Sequence, residues 1–258
     1  MKILDRVIDS NHFDIIPSVY YSQTDSYYLF GEVKKESNKI WIFQLESEIK
    51  RLEIKLETKR VNFDVCLFNE EIFIVGGENE REGCLIKCEK FIPSEGKTYI
   101  INSLNQRSAK QKLFPYKDKF ILKIGGTSFI SNQNWHAITP EIYLPETEDW
   151  RMIELQIADP RMRINFGLWP GILFSEAGNK IIIIEGETGK RKSFKERYDL
   201  TIGENSKDLK EIKLTKSIFA LNTRNKIYSN CCYENEDGRI LIATSDEKSS
   251  FNFLHFNI

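Results

Sequence analysis

An apolar run that ends in a double glycine occurs twice in this chain, and weaker forms of the run recur along it. The full form is EIFIVGGE at residues 71–78 and FILKIGGT at residues 120–127. The weaker forms are SYYLFGEV at 26–33, KIIIIEGET at 180–188 and GRILIATSD at 238–246. Successive runs lie about 45 to 60 residues apart, a period typical of the blades of β-propellers.

The residues around each run also repeat. Residues 89–99, EKFIPSEGKTY, and 141–151, EIYLPETEDWR, share an aromatic residue, an aliphatic residue, a proline and a polar turn. An arginine precedes three of the runs: Arg60, Arg107 and Arg163. Each unit therefore predicts a four-stranded antiparallel meander, and the whole chain an all-β fold.

This unit resembles the kelch repeat. In the best unit the resemblance rests on Arg107, Gly125, Gly126, Tyr143 and Trp150, and in the preceding unit on Arg60, Gly76 and Gly77. It implies one kelch-like β-propeller over residues 1–258. The five predicted blades span residues 15–58, 60–104, 107–157, 163–214 and 215–258. A β-sandwich with accidental periodicity is the alternative, and five units could also form part of a larger ring completed by another polypeptide.

The two ends of the chain predict how the ring closes. The last unit offers three strands, and residues 2–8, KILDRVI, alternate like residues 151–157, RMIELQI, the predicted fourth strand of the third blade. We therefore expect residues 1–9 to form a strand that completes the C-terminal blade, because this pairing covers two open sheet edges.

The double glycines predict close packing rather than a phosphate site. Glycine adopts positive φ and has no Cβ to collide with a neighbouring blade. No helix and no Lys-Ser/Thr pair follows either glycine pair, so a phosphate-binding loop is not indicated.

Composition narrows the classes of function. The 37 basic and 38 acidic residues nearly cancel, which argues against a general nucleic-acid binder. No apolar run is long enough to span a bilayer, and the first residues lack an apolar signal core. Five scattered cysteines do not resemble a secreted disulfide framework. We expect a cytoplasmic protein that does not bind membranes.

No cofactor, metal or catalytic centre is predicted. Cys84 and Cys88 lack the second ligand pair of a zinc site. The three histidines lie in different parts of the unit and do not suggest the copper centre of kelch-type galactose oxidases. No carboxylate pair stands out as a glycosidase pair, and no GxSxG elbow occurs. An enzyme or carbohydrate binder that uses the central channel remains the alternative.

Three sets of residues are candidates for binding a partner. The basic loop 189–197 contains Lys190, Arg191, Lys192, Lys195 and Arg197, and it could bind an acidic protein segment or RNA. The loop 127–140 carries Phe129, Trp135 and His136. Arg60, Arg107 and Arg163 either meet an acidic partner, as the resemblance implies, or hold loop carbonyls within the fold. A solvated basic loop, and an apolar loop folded back on its blade, are the plainer alternatives.

The function predicted from these features is a non-catalytic scaffold. It would bind a protein partner through loops on one propeller face, and by analogy it would serve in a cytoskeletal or ciliary assembly. The sequence does not indicate an oligomeric state.

Overall fold

The computed structural model describes residues 17–30, 39–44, 50–129, 139–157, 164, 166–168, 170–175, 179–186, 195–202, 212–219, 226–234, 240–245 and 251–256. In these ranges the regular structure is β, apart from one 3₁₀ turn at Ser22–Thr24. The predicted all-β class is confirmed. No helix among the described residues is long and apolar enough to cross a membrane.

The first three sheets each contain four antiparallel strands. Sheet 1 consists of β1 (Ser18–Tyr21), β2 (Ser26–Phe30), β3 (Lys39–Gln44) and β4 (Lys50–Lys55), in that order. Sheet 2 consists of β5 (Asp64–Phe68), β6 (Glu71–Val75), β9 (Cys88–Ile92) and β10 (Lys97–Ile101). A small hairpin of β7 (Glu78–Asn79) and β8 (Gly83–Cys84) lies between β6 and β9 in sequence. Sheet 3 consists of β11 (Lys112–Tyr116), β12 (Phe120–Ile124), β13 (Glu141–Leu144) and β14 (Asp149–Met152).

The remaining strands form two further sheets. Sheet 4 consists of β16 (Gly171–Ser175), β17 (Lys180–Ile184), β18 (Lys195–Ile202) and β19 (Ile212–Phe219), with β15 (Gln156–Ile157) beside β19. In sheet 5, β21 (Ile240–Ser245) lies between β20 (Lys226–Glu234) and β22 (Phe251–Phe256). Among the strands that the structure describes, no sheet is closed on itself.

The observed strands differ from the predicted ones at two places. Residues 151–157 do not form one strand: β14 ends at Met152, and β15 pairs in parallel with β19 of the next sheet. β19 also runs across the predicted boundary at 214/215, because it pairs with β18 over its full length. The predicted closing strand, residues 1–9, lies outside the described residues.

The burial of the second strands of sheets 2, 3 and 4 explains their continuous apolar runs. β12 is buried at all five positions, and β6 and β17 are buried at four of five. A strand that is covered on both faces has no solvent side, so its sequence does not alternate. The prediction of a central, fully buried second strand is confirmed for these three sheets.

Apolar clusters fill the spaces between consecutive sheets. One cluster joins Phe30 of β2 to Ile72 of β6, and a second joins Phe73 of β6 to Ile121 of β12. A third cluster joins Leu122 of β12 to Ile181 of β17. The first strands follow the same order: β1 contacts β5, β5 contacts β11, β11 contacts β16, and β16 contacts β20. Sheets 1 to 4 are therefore stacked face to face in chain order, and sheet 5 contacts sheet 4 through β20 and β16.

An aromatic residue at the same place in the third strand helps to join neighbouring sheets. Phe91 of β9 contacts Tyr28 of sheet 1, with ring centroids 5.5 Å apart. Tyr143 of β13 contacts Phe73 of sheet 2 at 5.0 Å, and also the buried Trp150 at 5.4 Å. Burial raises the pKa of Tyr143 to about 12. The prediction that Trp150 is a core residue is confirmed.

Each double glycine has the geometry that the sequence predicts. Gly76 and Gly77 have φ of +61° and +93°, and Gly125 and Gly126 have +67° and +85°. A Cβ on Gly76 would lie 2.5 Å from the Ser108 carbonyl oxygen, which follows sheet 2 in the chain. A Cβ on Gly125 would lie 2.7 Å from Pro170 Cγ, just before sheet 4. The first glycine of each pair thus permits contact with the next unit.

Candidate functional site: the loop face

The loops that follow the two double glycines meet at one end of sheets 2 and 3. The Cys84 amide donates a hydrogen bond to the Phe129 carbonyl oxygen at 3.4 Å, and the Cys84 thiol lies 3.6 Å from the Thr127 carbonyl oxygen. Residues 77–87, 105–110 and 126–129 therefore share one surface, which we call the loop face. The turns at 69–70 and 93–96 lie at the opposite end of sheet 2, as the register of β6 with β9 requires.

The acidic loop after β6 is a folded hairpin. β7 pairs with β8, and the Glu82 amide donates to Asn79 Oδ1 at 2.7 Å. Lys87 Nζ lies 2.8 Å from Glu82 Oε1, and this hydrogen bond holds the pKa of Glu82 below its usual range. Glu80 and Arg81 at the tip are exposed. The hairpin thus presents charges of both signs.

Arg107 fastens this hairpin to the start of the next unit. Its Nη1 donates to the Cys84 carbonyl oxygen at 2.7 Å and to the Glu82 carbonyl oxygen at 3.3 Å. The guanidinium suits this role because its donors are fixed in one plane. These contacts favour the structural alternative for Arg107, although its side chain is only half-buried.

Arg60 is fully buried, and a partner cannot reach it. Its Nη1 donates to the carbonyl oxygens of Gly76 at 2.9 Å and Lys87 at 2.7 Å, and its Nη2 pairs with Glu89. These contacts favour the structural alternative for Arg60, in which it holds carbonyls within the fold. The arginine satisfies backbone acceptors where the chain turns at the double glycine.

Two buried glutamates hold the connections between sheets. Glu89 accepts hydrogen bonds from the amides of Glu57 at 2.8 Å and Thr58 at 3.0 Å, which lie just after sheet 1. Glu141 occupies the same place in sheet 3, two residues before the aromatic position, and it accepts from the amides of Asn105 and Gln106 after sheet 2. Each carboxylate thus ties its own sheet to the segment that follows the preceding sheet.

The cations that neutralise these two carboxylates differ. Glu89 pairs with Arg60, whereas Glu141 pairs with Lys123 of β12 at 2.9 Å, and both members of the second pair are fully buried. Burial lowers the pKa of Lys123, although Glu141 acts against this effect. Sequence reasoning missed these residues. A signal existed, because a glutamate stands two residues before the aromatic position at 89, 141 and 196.

The basic loop is shorter than predicted. β18 begins at Lys195, so residues 195–197 belong to a strand. The Arg197 guanidinium donates to both carboxylate oxygens of Asp199, at 2.7 and 3.1 Å, and Lys180 Nζ lies 2.6 Å from Asp199. Burial acts to raise the pKa of Asp199, but these two cations lower it overall. Arg197 is therefore engaged within sheet 4, and these contacts do not favour its assignment to partner binding.

Several candidate residues lie outside the described residues: Lys190, Arg191, Lys192, Trp135, His136 and Arg163. The side chain of Lys195 is likewise not described. Phe129 is described and half-buried, and a Cβ on Gly83 would lie 3.5 Å from its ring. Phe129 therefore lies against the hairpin of the neighbouring unit, which agrees with the alternative in which this loop folds back.

Two buried oxygens on the loop face have no hydrogen-bond partner among the described residues: Glu78 Oε2 and Thr127 Oγ1. They occupy equivalent positions, because each residue directly follows a double glycine. Glu78 Oε1 accepts a hydrogen bond from Asn62 Nδ2. Buried carboxylate oxygens are normally hydrogen-bonded, so Glu78 Oε2 is an exception to this rule.

Cys84 and Cys88 are poor nucleophiles. Burial raises the pKa of Cys84 to about 11 and that of Cys88 to about 12. Both thiols are therefore protonated at neutral pH, and the thiolate is the reactive form. In the described part of the chain, no group of three or more His, Cys, Asp or Glu could hold a metal ion.

A scan against protein-family models and a search of curated proteins both found no match to this chain.

Proposed function

We propose that the five sheets are blades of a kelch-like β-propeller. The contacts from β1 to β5, β11, β16 and β20 support this arrangement, because first strands line the axis of a propeller. The double glycines support it too, since each pair sits at the end of a buried second strand against the next unit. In this proposal residues 1–9 supply the fourth strand of the last blade.

We propose further that the protein is a non-catalytic scaffold that binds a protein partner through the loop face. The observation that carries this proposal is the direct contact between the loops of sheets 2 and 3, from Cys84 to Phe129 and from Arg107 to Glu82. Loops held on rigid sheets give a preorganised binding surface, which lowers the entropic cost of association. A place in a cytoskeletal or ciliary assembly is the cellular setting that we propose by analogy.

The exposed charges at the hairpin tip indicate the chemistry of the contact. Glu80 and Arg81 are exposed, and Lys87 pairs with Glu82 beside them. A partner with an acidic segment would meet Arg81 and Lys87, and the basic residues 190–195 follow the equivalent turn of sheet 4 in the chain. Charges at an interface rim mainly set the association rate and its salt dependence.

Cross-linking mass spectrometry on the tagged protein, captured from its native cells, tests the scaffold. We expect stoichiometric cross-links from Lys87, Lys110 or Lys190 to one protein. The Arg81→Glu variant should bind that protein at least tenfold more weakly. Lys97→Glu, an exposed charge at the opposite end of sheet 2, is the matched control and should bind normally.

Two results would contradict the proposal of a scaffold that binds through the loop face. A chain recovered alone, with internal cross-links only, would contradict the scaffold and direct attention to small ligands in the channel. Equal loss of binding in Arg81→Glu and Lys97→Glu would show that the partner does not use the loop face.

A further inference from the structure

Arg60 holds the base of the β7–β8 hairpin. Its Nη1 donates to the carbonyl oxygens of Gly76 and Lys87, which precede and follow the hairpin in the chain. Its Nη2 pairs with Glu89, and both side chains are buried. The guanidinium donors lie in one rigid plane, so they hold these acceptors in one arrangement. The two ends of the hairpin are therefore fixed inside the fold, whereas its tip is exposed.

A second set of contacts holds the hairpin beyond its tip. Arg107 Nη1 donates to the Cys84 carbonyl oxygen at 2.7 Å and to the Glu82 carbonyl oxygen at 3.3 Å. The Ser108 amide donates to the Leu85 carbonyl oxygen at 3.0 Å. Both donors belong to the connection between sheets 2 and 3. The place of this half of the hairpin therefore depends on where that connection lies.

Glu141 fixes this connection. Its Oε2 accepts hydrogen bonds from the Asn105 amide at 2.8 Å and from Asn105 Nδ2 at 2.9 Å, and its Oε1 accepts from the Gln106 amide at 3.3 Å. Lys123 Nζ lies 2.9 Å from Oε1 and supplies the neutralising charge inside the fold. Hydrogen bonds to a charged acceptor are stronger than neutral ones, and Arg107 directly follows the two residues that they hold.

The pair of Lys123 and Glu141 lies behind the loop face and not on it. Both side chains are 0% exposed, so neither can touch a partner. The contacts nevertheless run without a break from Lys123 through Glu141 and residues 105–108 to the hairpin. Each step is a direct hydrogen bond or a peptide link. A change in the buried pair should therefore reach the surface.

We infer that Lys123 and Glu141 are positioning residues of the loop face. This inference rests on the proposed binding of a partner by that face. With the base held by Arg60, loss of the Glu141 contacts frees the outer half of the hairpin, whose tip carries Glu80 and Arg81. A surface that must be ordered on association binds more weakly, so binding falls although every group on the surface is unchanged.

Hydrogen exchange, followed by NMR on the full chain without a partner, measures how firmly the hairpin is held. Two of its amides donate to other segments: Gly77 to the Ser108 carbonyl oxygen and Cys84 to the Phe129 carbonyl oxygen. The amides of residues 95–96, in the turn at the opposite end of sheet 2, are also hydrogen-bonded and serve as the reference. The ratio of the two rates separates local loosening from a general loss of stability.

Lys123→Met is the first variant, because it leaves the buried Glu141 carboxylate without its cation. The amides of Gly77 and Cys84 should then exchange at least tenfold faster, measured against the reference amides. Lys123→Met/Glu141→Gln should restore slow exchange, because the neutral side-chain amide still accepts from the connection. Binding of the loop-face partner should follow the same order: at least fivefold weaker in the single variant and restored in the double variant.

Two surface variants keep the test decisive if Lys123→Met does not fold. Asn105→Ala removes the side-chain donor to Glu141, and the hairpin amides should exchange at least threefold faster against the reference. Asn102→Ala is the matched control. Its Nδ2 donates to residues 148–149 at 3.0 Å instead of to Glu141, so hairpin exchange should stay as in the wild type.

Four results decide the inference. Equal acceleration of the hairpin and the reference amides would overturn it, because only global stability would have changed. Unchanged hairpin exchange in Lys123→Met and in Asn105→Ala would overturn it as well. A partner that binds Lys123→Met as tightly as the wild type would overturn it and leave the scaffold proposal standing. Faster hairpin exchange in a chain that captures no partner would support the positioning of the hairpin and contradict the scaffold.

Discussion

Glu89 and Glu141 are buried glutamates at the same position of sheets 2 and 3, and each pairs with a different kind of cation. In sheet 2, Arg60 pairs with Glu89, and the position across from Glu89 on β6 is the apolar Ile74. In sheet 3, Arg107 binds carbonyls of the neighbouring hairpin, and Lys123, across from Glu141, supplies the charge. Both units therefore keep the buried glutamate that holds the connection between sheets, but the cation that neutralises it comes from a different position.

Replacement of Lys123 should strongly reduce the stability of the fold. Lys123→Met leaves the buried Glu141 without a cation, and loss of one member of a buried ion pair typically costs about 3–5 kcal/mol of unfolding free energy. Urea denaturation measures this loss. The double variant Lys123→Met/Glu141→Gln should recover much of it, because a neutral amide still accepts from the Asn105 and Gln106 amides.

An exposed pair provides the comparison for Lys123. Lys90 and Glu71 lie 2.9 Å apart with both side chains partly exposed, so Lys90→Met should cost no more than about 1 kcal/mol. If Lys123→Met lost no more unfolding free energy than Lys90→Met, the buried pair of Lys123 and Glu141 would not stabilise sheet 3.

The double glycines should tolerate no side chain. Gly76→Ala combines positive φ with a Cβ placed 2.5 Å from the Ser108 carbonyl oxygen, and we expect a loss of about 3 kcal/mol. Gly96→Ala separates the two effects, because Gly96 has φ of +65° but its nearest neighbour is Ile54 Cδ1 at 3.7 Å. Its loss should be about 1 kcal/mol. Denaturant unfolding measures both losses of unfolding free energy. Equal losses in the two variants would show that the close contact between Gly76 and Ser108 does not contribute to the effect.

At the scale of strands, the first strands of sheets 2 and 3 are linked by a buried carboxylate. Asp64 of β5 accepts from the Leu113 amide of β11 at 2.7 Å, and Lys112 Nζ lies 3.3 Å from it. Burial raises the pKa of Asp64 above 3.8, and Lys112 only partly opposes this effect. Burial of the charged Asp64 carboxylate therefore reduces stability at neutral pH, and the contacts with the Leu113 amide and Lys112 offset only part of this cost.

This shift predicts the pH dependence of stability. As the pH falls through the raised pKa of Asp64 towards 3.8, the folded protein takes up a proton before the unfolded chain does, so this carboxyl increasingly favours folding. Asp64→Asn keeps an acceptor for the Leu113 amide but does not titrate. The wild type should gain stability relative to this variant between pH 7 and pH 4. Urea unfolding across that range measures the difference, and a constant difference would contradict the shift.

Strand pairing also differs from the sequence prediction between sheets 3 and 4. β15 leaves sheet 3 and pairs in parallel with β19, so two residues join sheet 4 at its outer edge. Residues 151–157 alternate like one strand, and alternation alone does not reveal a change of partner. This connection pairs with Lys213 and Leu214 and so covers part of the edge of sheet 4, and an uncovered strand edge can pair with another chain.

At the scale of the molecule, sheets 1 to 4 bury one another's apolar faces in chain order. Deletion of residues 1–9 tests the proposed closing strand. If this strand completes the last blade, the truncated protein should lose several °C in its thermal midpoint, because edge strands and apolar surface become exposed. Differential scanning calorimetry measures this change. A truncated protein with the midpoint of the full chain would contradict the closing strand.

The sequence by itself determined the local features: strands at the period of the unit, a second strand without alternation, and positive φ at the double glycines. These features depend on side-chain volume and backbone conformation within a few residues, so a short stretch of sequence is enough to predict them. The sequence also marked Trp150 as a core residue. It did not distinguish Arg60 from Arg107, although the two precede equivalent strands.

Only the tertiary structure decided which groups meet across sheets. Arg60 is buried against Glu89, Arg107 reaches the hairpin of the neighbouring unit, and Lys123 takes over the neutralising role in sheet 3. Ile72, Ile121 and Ile181 are buried because each packs against the sheet before it, whereas Tyr27, at the same place in β2, is 37% exposed. Contacts between residues distant in sequence depend on how whole sheets stack. Equivalent positions of the repeat therefore have different neighbours in different sheets, and the sequence period does not show this difference.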